Sequence, residues 1–243
     1  ADQLRAAAVE LAKSIGDLGA KPQTSLGQSQ AYQIHAALKL YHYINPKLLL
    51  FASAVRQGLD GDLSTKPYSA TDPVERVESG IPAEMAALEM EDEQPPSKEL
   101  QTIFDDIVET LSLRSINSDY RTLALWPTYL NAVWGQLKPK IQTATYVTAS
   151  EHLRDRSRSL ASSLPYPVPL SRARLEEEGI DFDQTLQSAE AFEQLLPGLI
   201  INIALCLREW QPDDESLRSP FPAKAISPRL QNAAQPELTG GAK

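Results

Sequence analysis

The spacing of apolar residues constrains this chain more than any other feature, because they recur at steps of three and four and hardly anywhere at steps of two. In Leu100, Ile103, Phe104, Ile107, Val108 and Leu111 the steps are i, i+3, i+4, i+7, i+8 and i+11, which lays one stripe along an α-helix. Ser97, following Pro95-Pro96, is placed to cap that helix. Trp126, Tyr129, Leu130, Val133, Trp134 and Leu137 repeat the ladder, which ends before Lys138-Pro139. Leu4, Ala8, Leu11 and Ile15 mark another helix, as do Leu153, Leu160 and Leu164, and Leu48, Phe51, Val55 and Leu59. Alternating runs of strand length are almost absent, and the β-branched residues sit mostly inside helical stripes. The expected fold class is all-α.

Between Gly58 and Pro96 the periodicity lapses into Asp, Ser, Pro and Glu, including Glu89-Met90-Glu91-Asp92-Glu93, which reads as a solvated linker. Past Trp210 the composition turns polar again and is expected to run over the surface. The length of 243 residues with 42% hydrophobic content is enough for a sizeable core. With 23 basic and 32 acidic residues the formal charge is −9, so a nucleic-acid partner would meet net repulsion. Cys206 is the sole cysteine, which excludes an intramolecular disulfide, and His35, His42 and His152 show no metal-ligand spacing. No continuous apolar run approaches the roughly 20 residues of a bilayer span. The expectation is a soluble protein, cytoplasmic by default, without membrane or nucleic-acid partners.

The chain also matches itself. Leu4, Arg5, Leu11, Ala12 and Ser14 align with Leu153, Arg154, Leu160, Ala161 and Ser163 at an offset of 149. Pro46-Lys47-Leu48 and Pro197-Gly198-Leu199 both read as openings of apolar helices, at an offset of 151. This suggests a pseudo-dimer of two related helical repeats. Residues 1–60 would be the C-terminal part of repeat 1, 61–96 a linker, 97–210 repeat 2 and 211–243 a surface tail. In that reading the counterparts of the helices at Leu100 and Trp126 belong before Ala1, so about 50 residues of the first repeat are missing and it looks truncated.

Two places could carry chemistry. In Ser115-Ile116-Asn117-Ser118-Asp119-Tyr120, Asn117 or Ser118 can cap a helix and put Asp119 in its first turn. Asn45-Pro46 has the same grammar, with Asn as N-cap and Pro at the first helical position. Capping alone accounts for both. The functional reading is that two helix N-termini form a site for a small anion, with Asp119 held ionised by the helix dipole as a base for water and an Asn amide to hold that water. Tyr41, His42 and Tyr43 precede Asn45 and either line its pocket or pack a helix junction. Trp126 and Trp134 read as core anchors, Arg121 as a surface charge and Cys206 as a small buried hydrophobe. Glu176-Glu177-Glu178, Asp181 and Asp183 lack EF-hand spacing and read as a solvated face.

Asn45-Pro46-Lys47-Leu48-Leu49-Leu50, Ser118-Asp119-Tyr120, Leu125-Trp126-Pro127 and Ser219-Pro220-Phe221-Pro222, in that order, resemble landmarks of the DehI-type (group I) 2-haloacid dehalogenases. The resemblance implies an all-α enzyme in which an Asp activates a water that attacks C2 of a 2-haloalkanoic acid of either configuration. Halide leaves with inversion and without an ester intermediate, and no cofactor or metal takes part. It puts Asp119 in the place of the base and Asn45 in that of the water-orienting amide. Ser118, Tyr120 and Tyr43 would be substrate-binding, and Phe192 would stand near the place of a pocket tyrosine. The partners implied are a small 2-haloacid and water, with a homodimer left open. A second reading is a family member that keeps the scaffold without the catalysis, as a small-acid binding or helical interaction protein. A third is hydrolysis of another small acid with the same activated water.

Overall fold

The computed structural model describes residues 1–61, 75–76, 89–164, 170–210 and 224–225. Eight α-helices are found among them. They are α1 (Asp2–Ile15), α2 (Gln28–Asp60), α3 (Lys98–Thr110), α4 (Ser118–Leu123), α5 (Pro127–Ile141), α6 (Ala144–Ala161), α7 (Arg172–Glu177) and α8 (Phe182–Arg208). A 3-10 turn spans Lys21–Gln23, and a two-residue antiparallel ladder joins Glu75–Arg76 to Lys224–Ala225. The chain is all-α in class, as its periodicity predicts.

The two long helices, α2 and α8, lie along each other at the centre. The packing around them is reciprocal, with α1 on α8 and α6 on α2, while α1 and α6 also touch. Fully buried Ala8, Ala204, Ser53 and Ser157, one from each of the four helices, keep the packed surfaces small-sided. Ser53 donates to Ser157 across 2.9 Å, which satisfies both buried hydroxyl groups. α3 and α5 pair beside this core, α4 bridges α2 and α5, and α7 rests on α8. Leu4, Leu38, Leu49, Tyr129, Leu130, Leu153 and Ile200 are fully buried in one continuous cluster. Each such side chain contributes about 1.5–3 kcal/mol relative to exposure.

Several local expectations are corrected. Asn45 is not an N-cap, because α2 runs unbroken from Gln28 to Asp60 with Pro46 inside it. Its N-cap is Gly27, whose N–H donates to the Gln30 side chain at 3.1 Å, and Gly61 closes it in the left-handed conformation at φ 73°. Likewise Pro197 lies inside α8 and Pro139 inside α5, so neither opens nor ends a helix. A proline removes one donor and crowds the carbonyl four residues back. Burial on both sides of the break holds these helices continuous. The stripe Leu48-Phe51-Val55-Leu59 is helical but does not face the core as a whole: Leu48 is 44% and Phe51 67% exposed, and α2 buries Leu49, Ala52 and Ser53 instead. Leu164 lies past the end of α6. Ser97 does cap α3, accepting from Leu100 N–H at 3.3 Å.

Most of the predicted linker 61–96 and of the tail 211–243, with the Ser219–Pro222 motif, lies outside the described residues. Where the linker is described, it is pinned rather than free. Arg121 Nε donates to the Glu91 carbonyl at 2.7 Å, and the Glu91 N–H donates back to the Arg121 carbonyl at 3.1 Å. Arg121 is therefore a clamp on that segment, not a bare surface charge. α8 is long and apolar enough to cross a bilayer by composition, which the continuous-run count missed because polar residues interrupt it. Its place at the centre of the core accounts for its apolar character.

Candidate active site

The site forms where the middle of α2 meets the first turn of α4. Residues four apart on one helix share a face, as do residues three apart. Tyr41 and Asn45 on α2 therefore present one stripe, and Asp119 and Thr122 on α4 another. The stripes meet in two bonds. Asn45 Nδ2 donates to Asp119 Oδ2 at 2.7 Å, and the Tyr41 and Thr122 hydroxyls share a hydrogen bond of 2.8 Å. All four side chains are buried.

α4 is only six residues long, begins at Asn117 as N-cap, and puts Asp119 at its second position. Ser118 Oγ is 3.4 Å from Asp119 Oδ1 and adds a weak donor. Burial, which disfavours charge, pushes the Asp119 carboxyl up from 3.8 to about 6. The donors from Asn45, its own backbone N–H and Ser118 pull the other way and offset only part of this. The expectation that a helix dipole sets its ionisation is thus replaced, since one short turn of helix is outweighed by desolvation. An Asp with this value is ionised at neutral pH and still basic enough to take a proton from a bound water.

Beside Asp119 lies a small cavity between α4, α5 and α8, lined by Asp119, Tyr120, Leu137, Leu199, Asn202 and Cys206 among others, with room for about one water molecule. The surface it presents is apolar, and behind that lining runs a chain of three polar side chains. The Tyr146 hydroxyl shares its proton between Asn202 Oδ1 at 2.6 Å and the Gly198 carbonyl at 3.0 Å, and Asn202 Nδ2 donates to the Tyr120 hydroxyl at 3.0 Å. Burial raises the Tyr120, Tyr146 and Cys206 ionisations well above their usual values, so all three stay neutral.

Of the residues singled out from sequence, Asp119, Asn45, Ser118 and Tyr120 come together. Tyr43 and Phe192 do not join them. The Tyr43 carbonyl accepts from Arg5 at 3.0 Å, and its ring lies beneath both Arg5 and Lys47. Two residues along a helix turn a side chain through about 200°, which separates Tyr43 from the face of Asn45. Phe192 is 53% exposed, two turns of α8 before Leu199, while its neighbour Glu193 is buried and paired with Arg158. Trp134 is structural, its Nε1 donating to Asp106 at 2.7 Å. The Glu176–Glu178 run and Asp183 are exposed, and no group of metal-ligating residues occurs among the described residues. Sequence reasoning missed Asn202, Tyr146 and Thr122. The signal for Asn202 was present as one amide inside the apolar run Leu199–Leu207, where a buried polar group needs partners.

No family model matches the sequence. Among curated proteins, the chain is 32% identical over 184 residues to an (R)-2-haloacid dehalogenase of Pseudomonas putida, covering 70% of this chain and 58% of that protein. It is 29% identical over 161 residues to an (R)-2-haloacid dehalogenase of Rhizobium sp. (strain NHG3), covering 66% and 58%. To a configuration-inverting 2-haloacid dehalogenase of Pseudomonas sp. (strain 113) it is 28% identical over 163 residues, covering 63% and 52%. The chain thus spans between 52% and 58% of the lengths of these relatives. Among solved structures, it superposes with a TM-score of 0.73 and 28% identity on a D-2-haloacid dehalogenase in complex with L-LA, covering 86% of this chain and 74% of that one. A mutant D-2-haloacid dehalogenase with D-2-CPA gives 0.70 at 26% identity over the same shares. In sequence and in fold, the relatives of this chain are 2-haloacid dehalogenases.

Proposed function

We propose that this chain carries the catalytic base of a hydrolytic 2-haloacid dehalogenase of the DehI type. Asp119 takes a proton from a water molecule, and the water oxygen bonds to C2 of a short 2-haloalkanoic acid. The carbon–halogen bond breaks as it forms, halide leaves with the electron pair, and a 2-hydroxy acid of inverted configuration results. The observation that carries this reading is the 2.7 Å bond from Asn45 to a buried Asp119 whose carboxyl sits at about 6. Asn45 then acts on the base itself, fixing the carboxylate plane so that the other oxygen faces the water, which is a narrower role than holding the water directly.

Both configurations of substrate are proposed, since attack from the side opposite the halogen needs the base and water on one face and a carboxylate anchor that both enantiomers share. A reading restricted to the (R) acid is favoured by the names of two of the relatives. Halide release from (R)- and (S)-2-chloropropionate separates the two. A member without catalysis is not favoured, because a purely structural site gains nothing from a buried carboxylate whose cost its donors offset only in part. Single turnover in heavy-oxygen water tests the chemistry, with label expected in the hydroxy acid and none in Asp119. Label in the protein would show an ester intermediate and overturn direct attack.

A further inference from the structure

α4 carries Asp119 and is only six residues long, whereas a helix needs about 12–15 residues before its own hydrogen bonds sustain it in water. The end of a helix also leaves its last carbonyls without helical partners. Those of Tyr120, Thr122 and Leu123 accept from the Ala124, Leu125 and Trp126 N–H groups at 2.9, 3.2 and 3.0 Å. The Arg121 carbonyl is passed over by these turns and accepts instead from the Glu91 N–H at 3.1 Å, 30 positions earlier in the chain. The Arg121 side chain returns the bond, its Nε donating to the Glu91 carbonyl at 2.7 Å. Both groups that residue 91 contributes to this pair are backbone groups. Further along, the same segment is fixed by buried Pro95 and by Ser97 as the cap of α3. Arg121 stands about 200° around the helix from Asp119. It therefore grips α4 from behind the face on which Asp119 meets Asn45 and Thr122 meets Tyr41.

We propose that the segment at Glu91 is a strap that fixes the rotation of α4, and that Arg121 is a positioning residue for the reaction, acting through the orientation of the Asp119 carboxylate and not by contact with substrate. This rests on the reading of Asp119 as the base. Side chains reach about 5–6 Å from a helix axis, so a rotation of about 10° carries a carboxylate about 1 Å. A displacement of that size can cost on the order of a hundredfold in rate. Burial and the donors from Asn45, Ser118 and its own N–H set the ionisation of Asp119, and Arg121 is not among them. The strap works by placement and not by charge.

The test is halide release from 2-chloropropionate by the full chain as wild type, Arg121→Ala, Glu91→Pro, their double variant and Glu91→Ala, joined to amide hydrogen exchange. Arg121→Ala removes one half of the strap and Glu91→Pro the other, since proline has no N–H. Each should lower kcat on the order of tenfold to a hundredfold, with KM changed less than about twofold and the acid limb of kcat/KM unmoved. The double variant should be little slower than the worse single one, because the two bonds act as a unit. Glu91→Ala keeps both backbone groups and should turn over like wild type. Exchange in α4 should speed up in Arg121→Ala and Glu91→Pro while α3 and α5 keep their protection. Either variant carries the test if the other does not fold. Wild-type turnover in both overturns the strap and leaves Asp119 as base. A loss in Glu91→Ala as large as in Glu91→Pro overturns it by moving the effect to a side chain, and a shifted acid limb overturns action by placement. Faster exchange throughout α3 and α5 would make the role merely structural and overturn the positioning of Asp119. No halide from wild type overturns the reading of Asp119 as the base, and with it the catalytic role of the strap.

Discussion

At the scale of single residues, the site turns on the cost of keeping one carboxylate buried. The distance from 3.8 to about 6 for Asp119 is worth about 3 kcal/mol against the folded state once the group is ionised. Because the folded value is the higher one, the associated stability is fully present below 3.8 and lost as pH rises through about 6. Asp119→Asn should therefore abolish halide release while raising the melting temperature at neutral pH, and that gain should vanish in acid; thermal melts across this range check it. Asn45→Leu acts in the opposite sense. It removes a donor that lowers the Asp119 value, so the acid limb of kcat/KM should move to higher pH, and kcat should drop on the order of tenfold or more as the carboxylate loses its orientation. An unmoved limb would show that Asn45 does not act on the base. Both residues were legible in the sequence as polar groups at helix punctuation. Their pairing was not, because a separation of 74 positions carries no local signal, and neither was the raised value, which depends on burial.

At the scale of elements, the periodicity located α1, α3, α5 and α6 because each carries its apolar stripe within one face. The errors fall at prolines. Asn45-Pro46 reads locally as a cap and first turn, and Pro197-Gly198 as a start, yet both sit inside helices of 33 and 27 residues. The rule that proline breaks a helix is a local cost of about 3 kcal/mol, and it loses to burial along Leu38, Leu49, Leu196 and Ile200 on either side. The bond that Pro46 lacks would run to the His42 carbonyl, in the turn between Tyr41 and Asn45, so the proline sets how these two α2 side chains reach Thr122 and Asp119. Pro46→Ala restores the bond to the His42 carbonyl and should leave the melting temperature equal or higher, while kcat falls because the two contacts no longer register. Unchanged turnover in a more stable protein would show that the proline is merely tolerated.

At the scale of the molecule, the reading as two helical repeats is a proposal that the packing supports in particular places. Arg5 reaches from α1 to the Tyr43 carbonyl of α2, and Arg154 reaches from α6 to Gln194 of α8; these pairs correspond at the offsets of 149 and 151. By the same offset Leu196, buried in α8, stands where Asn45 stands in α2, so the scaffold is doubled and the chemistry is not. The offset also pairs Leu48 and Phe51 with Leu199 and Asn202. On α8 those positions line the cavity that α4 and α5 cover, whereas on α2 Leu48 and Phe51 are exposed. Equivalent positions should then differ sharply in energy. Leu199→Ala should cost about 2–5 kcal/mol in urea unfolding, and Phe51→Ala less than about 0.5 kcal/mol. If Phe51→Ala costs as much as Leu199→Ala, the α2 stripe is covered in solution. A cost that grows with protein concentration would identify the cover as a second molecule and make the protein a homodimer through that face, while a cost independent of concentration would place the cover within the same chain.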